Sequence, residues 1–172
     1  MSLRKLPNSV LRKNAEERLA RGLERRDIYL VLDNLRSVYN VGALFRTADA
    51  IGVRKIYLCG ITAKPPRPDL DKTACKTIPY VDWEYQKSSY LTIKKLKMSG
   101  VNIIALEQSN RSQDFRTVNY KKPLALVLGN EVSGINLKSL KLADQIIDIP
   151  MFGFANSLNV TTAAGIILYQ LI

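Results

Sequence analysis

The sequence predicts an α/β fold with a mainly parallel β-sheet flanked by helices. Apolar runs of five or six residues alternate with segments whose apolar residues recur at helical spacing. These runs are continuously apolar, which is typical of strands buried on both faces of a parallel sheet. A chain of 172 residues is long enough for one substantial core, and no linker or internal repeat divides it.

Six short segments are predicted to be the strands of this sheet. Each is largely apolar and is bounded by polar residues, glycine or proline, as strands in a packed layer are. In chain order they are residues 28–32, 55–59, 80–85 at an edge of the sheet, 101–106, 124–128 and 145–149.

Helices are predicted between the strands, where apolar residues recur at intervals of three and four. Asn40 is suited to cap the helix after the first strand, and Gly52 ends it. Ser88 is suited to cap a helix that runs to Met98 and stops before Gly100. The remaining predicted helices are residues 71–77, 137–143 and 158–171, and the predicted loops are residues 60–68 and 107–122.

Residues 1–26 are predicted to be a basic N-terminal extension, ahead of a domain formed by residues 27–172. The extension has eight Lys and Arg residues against three Glu residues, so it holds +5 of the net charge of +11. Residues 14–26 are predicted to be a helix that follows an arm. A segment that binds a polyanion and a merely solvated charged face are both open interpretations.

The composition restricts the chemistry that the chain performs. It has no histidine, and its two cysteines, Cys59 and Cys75, lack the spacing of a metal or redox pair. We therefore expect no metal site and no histidine base. No apolar run reaches the roughly 18 residues that span a membrane, and no signal peptide is recognisable, so we expect a cytoplasmic protein. The net charge of +11 favours a nucleic-acid partner over a merely soluble basic surface.

A first polar segment, residues 33–52, joins a predicted strand to a helix. Asn40 is placed to cap that helix, Gly42 permits close backbone approach, and Arg46 follows six residues after Asn40. A helix N-terminus with an arginine nearby is suited to bind phosphate. A capped helix with Arg46 in a surface ion pair is the alternative interpretation.

A second segment, LVLGNEVSGI at residues 126–135, follows a buried strand. Gly129 and Gly134 have the spacing of a phosphate-binding loop, but no Lys-Ser/Thr follows them, and the chain has no GxGxxG. These absences exclude the Walker and Rossmann patterns. Glu131 is a candidate to orient an arginine or to contact a ligand, or else an exposed carboxylate in a turn whose glycines serve only its geometry.

A third segment, residues 149–172, ends a strand and begins an almost wholly apolar helix. Asn156 or Ser157 is suited to cap that helix. With Asn159, however, three amide or hydroxyl side chains lie within four positions, which exceeds what one cap needs. The helix itself is predicted to be buried, with a second subunit as one candidate for its cover.

Together these segments resemble the three motifs of the SpoU (TrmH) family of RNA ribose 2′-O-methyltransferases, within the SPOUT superfamily. The match to the first motif is Asn40-x-Gly42-x-x-x-Arg46-Thr47-Ala48, to the second LVLGNEVSGI, and to the third IPMFGFANSLNVTTAAGIILYQL. The resemblance covers roughly residues 28–172, and three long motifs in the right order and spacing are a specific signal.

The sequence departs from the family pattern at a few positions. Val132 stands where the family often has a second glycine, and Thr161 and Thr162 stand where Ser-Val is common. The separate N-terminal RNA-binding domain of many members is absent, so only residues 1–26 are left to replace it.

The resemblance implies a fold, an oligomeric state and a cofactor. The implied fold is an α/β sheet with a C-terminal deep trefoil knot, which is a rare exception to ordinary chain topology. The family pattern also implies a homodimer, with residues 163–172 buried at its interface, and S-adenosylmethionine as the cofactor. The positions that match its cofactor site are Leu106, Glu107, Leu128, Gly129, Ile149, Met151, Ser157, Leu158 and Asn159.

The resemblance also implies catalytic roles for five residues: Arg46, Asn40, Glu131, Ser157 and Asn159. We expect Arg46 to grip the phosphate beside the target ribose and to stabilise the developing oxyanion, because a guanidinium is too basic to accept the proton itself. Glu131 is expected to orient Arg46, while Asn40, Ser157 and Asn159 position ribose and phosphate. No metal is needed.

The implied substrate is the ribose 2′-hydroxyl of a structured RNA, either tRNA or rRNA. Lys64, Arg67, Lys72 and Lys76, which flank the proline-rich loop, are candidates to contact the RNA with Arg46, although a solvated basic loop is equally open. Two alternatives are a catalytically silent RNA-binding module on the same fold and a base-methylating SPOUT enzyme. The five matching polar residues argue against the first, and the Asn40…Arg46 pair favours ribose chemistry over the second.

Overall fold

The computed structural model describes residues 3–172, and these residues form seven strands and six α-helices. The strands are β1 (Arg26–Asp33), β2 (Val53–Cys59), β3 (Trp83–Gln86), β4 (Asn102–Leu106), β5 (Gln113–Asp114), β6 (Leu124–Leu128) and β7 (Gln145–Asp148). The helices are α1 (Asn8–Ala20), α2 (Val38–Ile51), α3 (Pro68–Ala74), α4 (Ser89–Met98), α5 (Leu137–Leu140) and α6 (Val160–Gln170), with a 3₁₀-helix at Ile78–Tyr80.

The strands form one sheet in the order β3-β2-β1-β6-β4-β7-β5, and every neighbouring pair is parallel. In β1, next to the central strand β6, Leu30 lies beside Ile56 on one side and Leu126 on the other. The predicted α/β fold with a parallel sheet is confirmed. Because all the strands run the same way, their carboxyl ends meet at one edge, where ligands bind in such sheets.

The two faces of the sheet are covered unequally. On one face α2, α3 and α6 pack in a large cluster around the side chains of Leu30, Ile56 and Leu126. On the other face a smaller cluster is built from α4 and the segment that contains α5, around Val31 and Val127. The wide apolar stripe of α2 explains its buried position, since Val41, Leu44, Phe45 and Ala48 recur at helical spacing.

The N-terminal helix lies earlier in the chain than predicted. It spans Asn8–Ala20 rather than 14–26, and it has no buried residue. Pro7 occupies its N-cap position with an extended backbone, and Gly22, with φ of 85°, follows its last turn. Proline before a first turn and glycine after a last turn are the usual helix boundaries, and the charge pattern alone did not reveal them.

Two predicted helix caps are wrong. The side chain of Ser37, and not that of Asn40, caps α2 by accepting a hydrogen bond from Asn40 N. The side chain of Asn159, and not that of Asn156 or Ser157, caps α6 by accepting one from Thr161 N. All of these are capping residue types, so the sequence could not distinguish them. Gly52 does end α2, with φ of 76°.

Smaller differences concern the edges of the sheet. The edge strand predicted at 80–85 is confirmed for residues 83–85, which belong to β3, whereas Tyr80 ends a 3₁₀-helix that contains Pro79. The predicted loop 107–122 contains the two-residue strand β5, which pairs with β7. The helix predicted at 71–77 begins at Pro68, a residue favoured in a first turn, and α5 is shorter than the predicted 137–143.

The deep trefoil knot and the division of the chain between residues 26 and 27 stay predictions. Across residues 3–172, no helix combines the length and the hydropathy needed to cross a membrane.

Candidate active site

A cavity of about 430 Å³ opens at the carboxyl ends of the neighbouring strands β6, β4 and β7. The loops that follow these strands and the start of α6 form its walls. All nine residues predicted to bind the cofactor line it, namely Leu106, Glu107, Leu128, Gly129, Ile149, Met151, Ser157, Leu158 and Asn159. The fold therefore gathers residues that are up to 53 positions apart in the sequence around one space, and their role in binding stays a prediction.

The glycines of the second segment permit close packing beside this cavity. A Cβ atom added to Gly129 would overlap the backbone of Gly134 and Ile135. A Cβ atom added to Gly134, whose φ is 67°, would overlap the carboxylate of Glu107. That carboxylate accepts a hydrogen bond from Ile135 N at 2.8 Å, so the second loop closes directly onto the end of β4. Because these two positions lack a Cβ atom, the loop after β6 can pack against Glu107 at the end of β4.

Hydrogen bonds between neighbouring loops hold the rim of the cavity. Asn130 Nδ2 donates to the carbonyl of Asn34 at 2.7 Å, which ties the loop after β6 to the loop after β1. The side chain of Asp33, only 1% exposed, accepts from Asn34 Nδ2 and from Asn136 N. These bonds fix the loops that carry the first two motif segments.

Glu131 bridges the second segment to the first. Its carboxylate accepts hydrogen bonds from Arg36 N at 2.9 Å, from Ser37 N at 3.1 Å and from Asn40 Nδ2 at 2.8 Å. A carboxylate at this position also complements the positive end of the α2 dipole. Glu131 therefore fixes the start of α2 and the direction of the Asn40 amide.

Asn40 in turn contacts the third segment. Its Oδ1 accepts a hydrogen bond from Asn159 Nδ2 at 3.2 Å. The Oδ1 of Asn159 accepts from both the backbone N and the hydroxyl of Thr161, at 2.8 Å and 2.6 Å. A continuous set of hydrogen bonds thus runs from Thr161 through Asn159 and Asn40 to Glu131. We call these four residues the amide chain.

The ionisation of Glu131 depends on these contacts. Burial of its carboxylate opposes ionisation, but the hydrogen bonds from Arg36 N, the Asn40 side chain and Ser37 N outweigh burial and lower its pKa below the ordinary 4.5. Glu131 is therefore ionised at neutral pH and a weak proton acceptor. It is suited to hold Asn40 rather than to remove a proton.

Arg46 lies apart from Glu131. Its guanidinium is exposed, and Nη1 donates to Cys75 Sγ at 3.5 Å, while no hydrogen bond or ion pair joins it to Glu131 among the described residues. The prediction that Glu131 orients Arg46 is therefore wrong for this structure. Arg46 lies six residues beyond Asn40 on α2, which places it about 9 Å further along the helix and on another side of it.

Gly42 brings α3 against α2 and so sets the surroundings of Arg46. A Cβ atom at Gly42 would lie 2.7 Å from Thr73 Cβ and 3.0 Å from Ala74 N. The predicted close approach at Gly42 is confirmed, and the approaching backbone is that of α3. Cys75 follows directly after α3, which explains why its sulfur reaches Arg46.

The other predicted RNA contacts lie shortly before, within and just after α3 in the sequence. Lys64 Nζ lies 3.9 Å from the centre of the Tyr85 ring. Arg67 forms two hydrogen bonds with the carboxylate of Asp69, so its charge is already paired within the chain. Lys72 and Lys76 are exposed near the end of α3 that contacts Arg46. No side-chain hydrogen bond joins Ser157 to another described residue, and Ser157 is exposed at the cavity.

Three residues of the site escaped prediction from the sequence. Thr161 holds Asn159, Ser37 caps α2, and Cys75 contacts Arg46. The hydroxyl of Thr161, two residues after Asn159, would have been a signal only if Asn159 had been identified as the cap. Nothing in the sequence indicated that Cys75 lies beside Arg46. Within residues 3–172, no group of three or more His, Cys, Asp or Glu side chains is placed to hold a metal ion.

Comparison with known proteins decides what kind of site this is. A family model described as the SpoU rRNA Methylase family matches residues 27–169. The chain belongs to the SpoU rRNA methylase family. A curated relative from Aquifex aeolicus, named tRNA (guanosine(18)-2′-O)-methyltransferase, is 38% identical over 167 residues, which are 94% of this chain and 76% of the relative.

Solved structures of RNA-modifying enzymes agree with this assignment. The crystal structure of the A. aeolicus TrmH/SpoU tRNA modifying enzyme matches with a TM-score of 0.81 and 36% identity, covering 94% of this chain and 82% of that one. An AdoMet-bound rRNA methyltransferase from Sinorhizobium meliloti matches with a TM-score of 0.78 and 29% identity. The match covers 86% of this chain and 56% of that one. The predicted family, enzyme class and cofactor, S-adenosylmethionine, are confirmed.

Proposed function

We propose that this SpoU family chain transfers the methyl group of S-adenosylmethionine to a ribose 2′-hydroxyl of a structured tRNA or rRNA. The proposal rests on the amide chain from Thr161 to Glu131, whose hydrogen bonds join the three motif segments beside the cavity. Asn159 and Glu131 both belong to this chain and line the cavity. A donor held in the cavity and an acceptor held by the amides would therefore lie side by side.

The cavity fits the chemistry of S-adenosylmethionine. Its volume of about 430 Å³ lies in the range of small-molecule sites. Leu106, Leu128, Ile149, Met151 and Leu158 supply apolar walls for an adenine ring, and the surrounding loops supply backbone amides and carbonyls for its edge. When bound, S-adenosylmethionine supplies an activated methyl group on a positively charged sulfur.

Asn40, Asn159 and Ser157 are proposed to position the ribose and its phosphate. The amide chain leaves one hydrogen of Asn40 Nδ2 and one of Asn159 Nδ2 free for a substrate oxygen. Ser157 lines the cavity with a hydroxyl that no other described residue engages. Alignment of a hydroxyl with an activated donor is a large part of such catalysis.

Arg46 is proposed to bind the phosphate next to the target ribose and to stabilise the negative charge that develops on the 2′-oxygen as the hydroxyl proton passes to solvent water. Its exposed guanidinium has one weak internal contact, to Cys75 Sγ at 3.5 Å, so its remaining donors are available to RNA. A guanidinium has a pKa above about 12 and is a poor base, but it is a strong bidentate donor to phosphate. Glu131 supports the site by fixing Asn40 and the start of α2.

A homodimer is part of the proposal. Residues Ala164, Ile167, Leu168 and Leu171 of the C-terminal segment are buried within the chain, so only its other side is available to a second subunit. That side exposes large apolar side chains, namely Ile166, Tyr169 and Ile172, with Phe152 and Phe154 in the preceding loop. Exposed apolar patches of this kind favour protein contacts. We place the enzyme in the cytoplasm because tRNA and ribosomes are there.

The RNA target is proposed to be tRNA first, with guanosine 18 as the leading candidate, because the A. aeolicus relative carries that name. Residues 3–26 are well placed to add RNA affinity, since α1 is exposed throughout and the segment is strongly basic. Lys72 and Lys76 are stronger candidates for RNA contact than Arg67, whose charge is paired with Asp69.

The test is to incubate the purified protein with total RNA and S-adenosylmethionine that carries a labelled methyl group. Digestion to nucleosides followed by mass spectrometry locates the label. We expect it on the ribose of one nucleotide, and we expect Arg46→Ala to transfer none while still folding. Label on a base would contradict the proposal and favour a base methyltransferase. No transfer to any RNA, with RNA binding retained, would favour a silent RNA-binding module.

A further inference from the structure

A second cavity, of about 510 Å³, lies on the face of the sheet opposite α2. On this face α4 packs on β1 and β4, and a groove stays open over β1 and β2 between α4 and β3. Parallel sheets are normally covered by helices on both faces, so an open strand surface here is unusual. The groove has no part in the site described above.

Two tyrosines form the floor of this groove. Tyr29 of β1 and Tyr57 of β2 point to the same side, with ring centres 6.4 Å apart and ring planes 34° from each other. Neither hydroxyl has a hydrogen-bond partner among residues 3–172. Burial, followed by the nearby Glu84, raises the pKa of Tyr57 above its ordinary 10.0, so its hydroxyl stays protonated and able to donate.

Once the ion-paired side chains are set aside, the charge that remains on the residues lining the groove is positive. Arg54 is paired with Asp27 at the amino end of the groove. Lys55 is paired with Glu84 beside the groove, and its Nζ also lies 5.8 Å from the centre of the Tyr57 ring. Lys95 of α4 lines the groove and has no ion-pair partner within the part of the chain that the structure describes. The groove thus offers aromatic surface, free hydroxyl donors and one available cation.

We propose that this groove binds an unpaired nucleotide of the RNA substrate, away from the nucleotide that is methylated. Bases stack on aromatic side chains with little regard to sequence, and a lysine beside them engages the phosphate. Tyr29 lies four residues before Asp33, the last residue of β1, or about 13 Å along the strand. Arg46 lies on α2, which covers the other face of the sheet. The groove would therefore contact a part of the RNA other than the methylated nucleotide. This inference rests on RNA being the substrate.

The test measures the affinity of the full chain for an unmodified tRNA transcript by fluorescence anisotropy. We expect Tyr57→Leu to raise Kd roughly tenfold, because it removes the stacking surface, and Tyr57→Phe to raise it much less. Lys95→Ala is expected to raise Kd. It should also reduce the slope of log Kd against log salt concentration by about one, because one phosphate contact is lost. Lys94→Ala is the matched control, since Lys94 is its neighbour on α4 and does not line the groove.

Methylation kinetics separate this inference from the proposed function. At saturating RNA the variants should keep the wild-type kcat, with the loss confined to KM. If Tyr57→Leu and Lys95→Ala both keep the wild-type kcat, KM and Kd, the groove does not bind RNA. That result would leave the proposed methyltransferase function intact. Equal effects of Lys94→Ala and Lys95→Ala would also overturn the groove assignment, since they would indicate general charge attraction. So would a changed oligomeric state of Tyr57→Leu with unchanged RNA affinity, which would make the groove a contact between copies.

Discussion

Asn40 Nδ2 donates a hydrogen bond to Glu131 Oε1 at 2.8 Å, and this contact determines which way the Asn40 amide faces. A carboxylate accepts only, so the nitrogen of Asn40 must point to Glu131 and its oxygen to Asn159. Asn159 is fixed in the same way, because its oxygen is held by the two donors of Thr161. The polarity of the amide chain is therefore set at both ends.

Asn40→Asp should reduce methyl transfer strongly at neutral pH, because it places a second carboxylate against Glu131. One of the two must then be protonated or move away, so the activity of the variant should recover partly as pH falls. Single-turnover rates measured from pH 5 to pH 9 would show this. Asn40→Ala is the control: it should lose activity without the acid recovery. A variant Asn40→Asp with the wild-type pH profile would contradict the contact.

Thr161→Val should lower kcat because it removes the hydroxyl that fixes the Asn159 oxygen, while the backbone cap remains. With only the backbone donor left, the Asn159 amide is held less firmly in the orientation that presents its Nδ2 to Asn40. Thr161→Ser keeps the hydroxyl and should restore the rate to within about twofold, given the small cost of a lost methyl group. A loss of equal size in both variants, with matching losses in thermal stability, would indicate packing rather than amide orientation.

Glu131→Gln should change how the stability of the protein depends on pH. The pKa of Glu131 is below its ordinary 4.5, so its ionised form stabilises the folded state. That contribution is fully present above about pH 4.5 and is lost as pH falls through the lower folded-state pKa. The difference in free energy of unfolding between wild type and variant should therefore be larger at pH 7 than at pH 3. Urea titrations at the two pH values measure it, and a difference that grows on acidification would contradict the assignment.

Arg46→Lys should lower the single-turnover rate at least tenfold, because an ammonium group cannot grip a phosphate with two parallel hydrogen bonds. The loss should be close to that of Arg46→Ala in kcat, with tRNA affinity affected less. Cys75→Ala is a useful companion, since it removes the one contact that Arg46 makes within the described chain. A lysine variant with a near-wild-type rate would exclude the bidentate role.

The sequence revealed the residues of the cavity better than their contacts. The resemblance to the family implied residues such as Leu106, Gly129 and Met151 as cofactor contacts, and the structure brings them to one cavity because parallel strands end at one edge of the sheet. The partner of Glu131 was not predictable in the same way. A carboxylate in a loop can bond any donor within reach, and only the docking of that loop on the start of α2 selects Asn40 over Arg46.

Local ambiguity explains the other differences. Ser37 and Asn40 are both residue types that cap helices, as are Ser157 and Asn159. The two members of each pair lie only three and two positions apart, and the sequence does not show which of them is the cap. Thr161 and Cys75 act through contacts that depend on rotamer and on the approach of a second helix. The groove at Tyr29 and Tyr57 depends on where α4 packs across the sheet, which periodicity does not determine.

Nucleoside mapping of tRNA and rRNA from cells with and without the gene tests most directly whether this chain methylates RNA ribose. We expect that one 2′-O-methylated ribose disappears on deletion, that the wild-type gene restores it, and that the Arg46→Ala variant does not. Unchanged ribose methylation, or loss of a base methylation instead, would contradict this expectation.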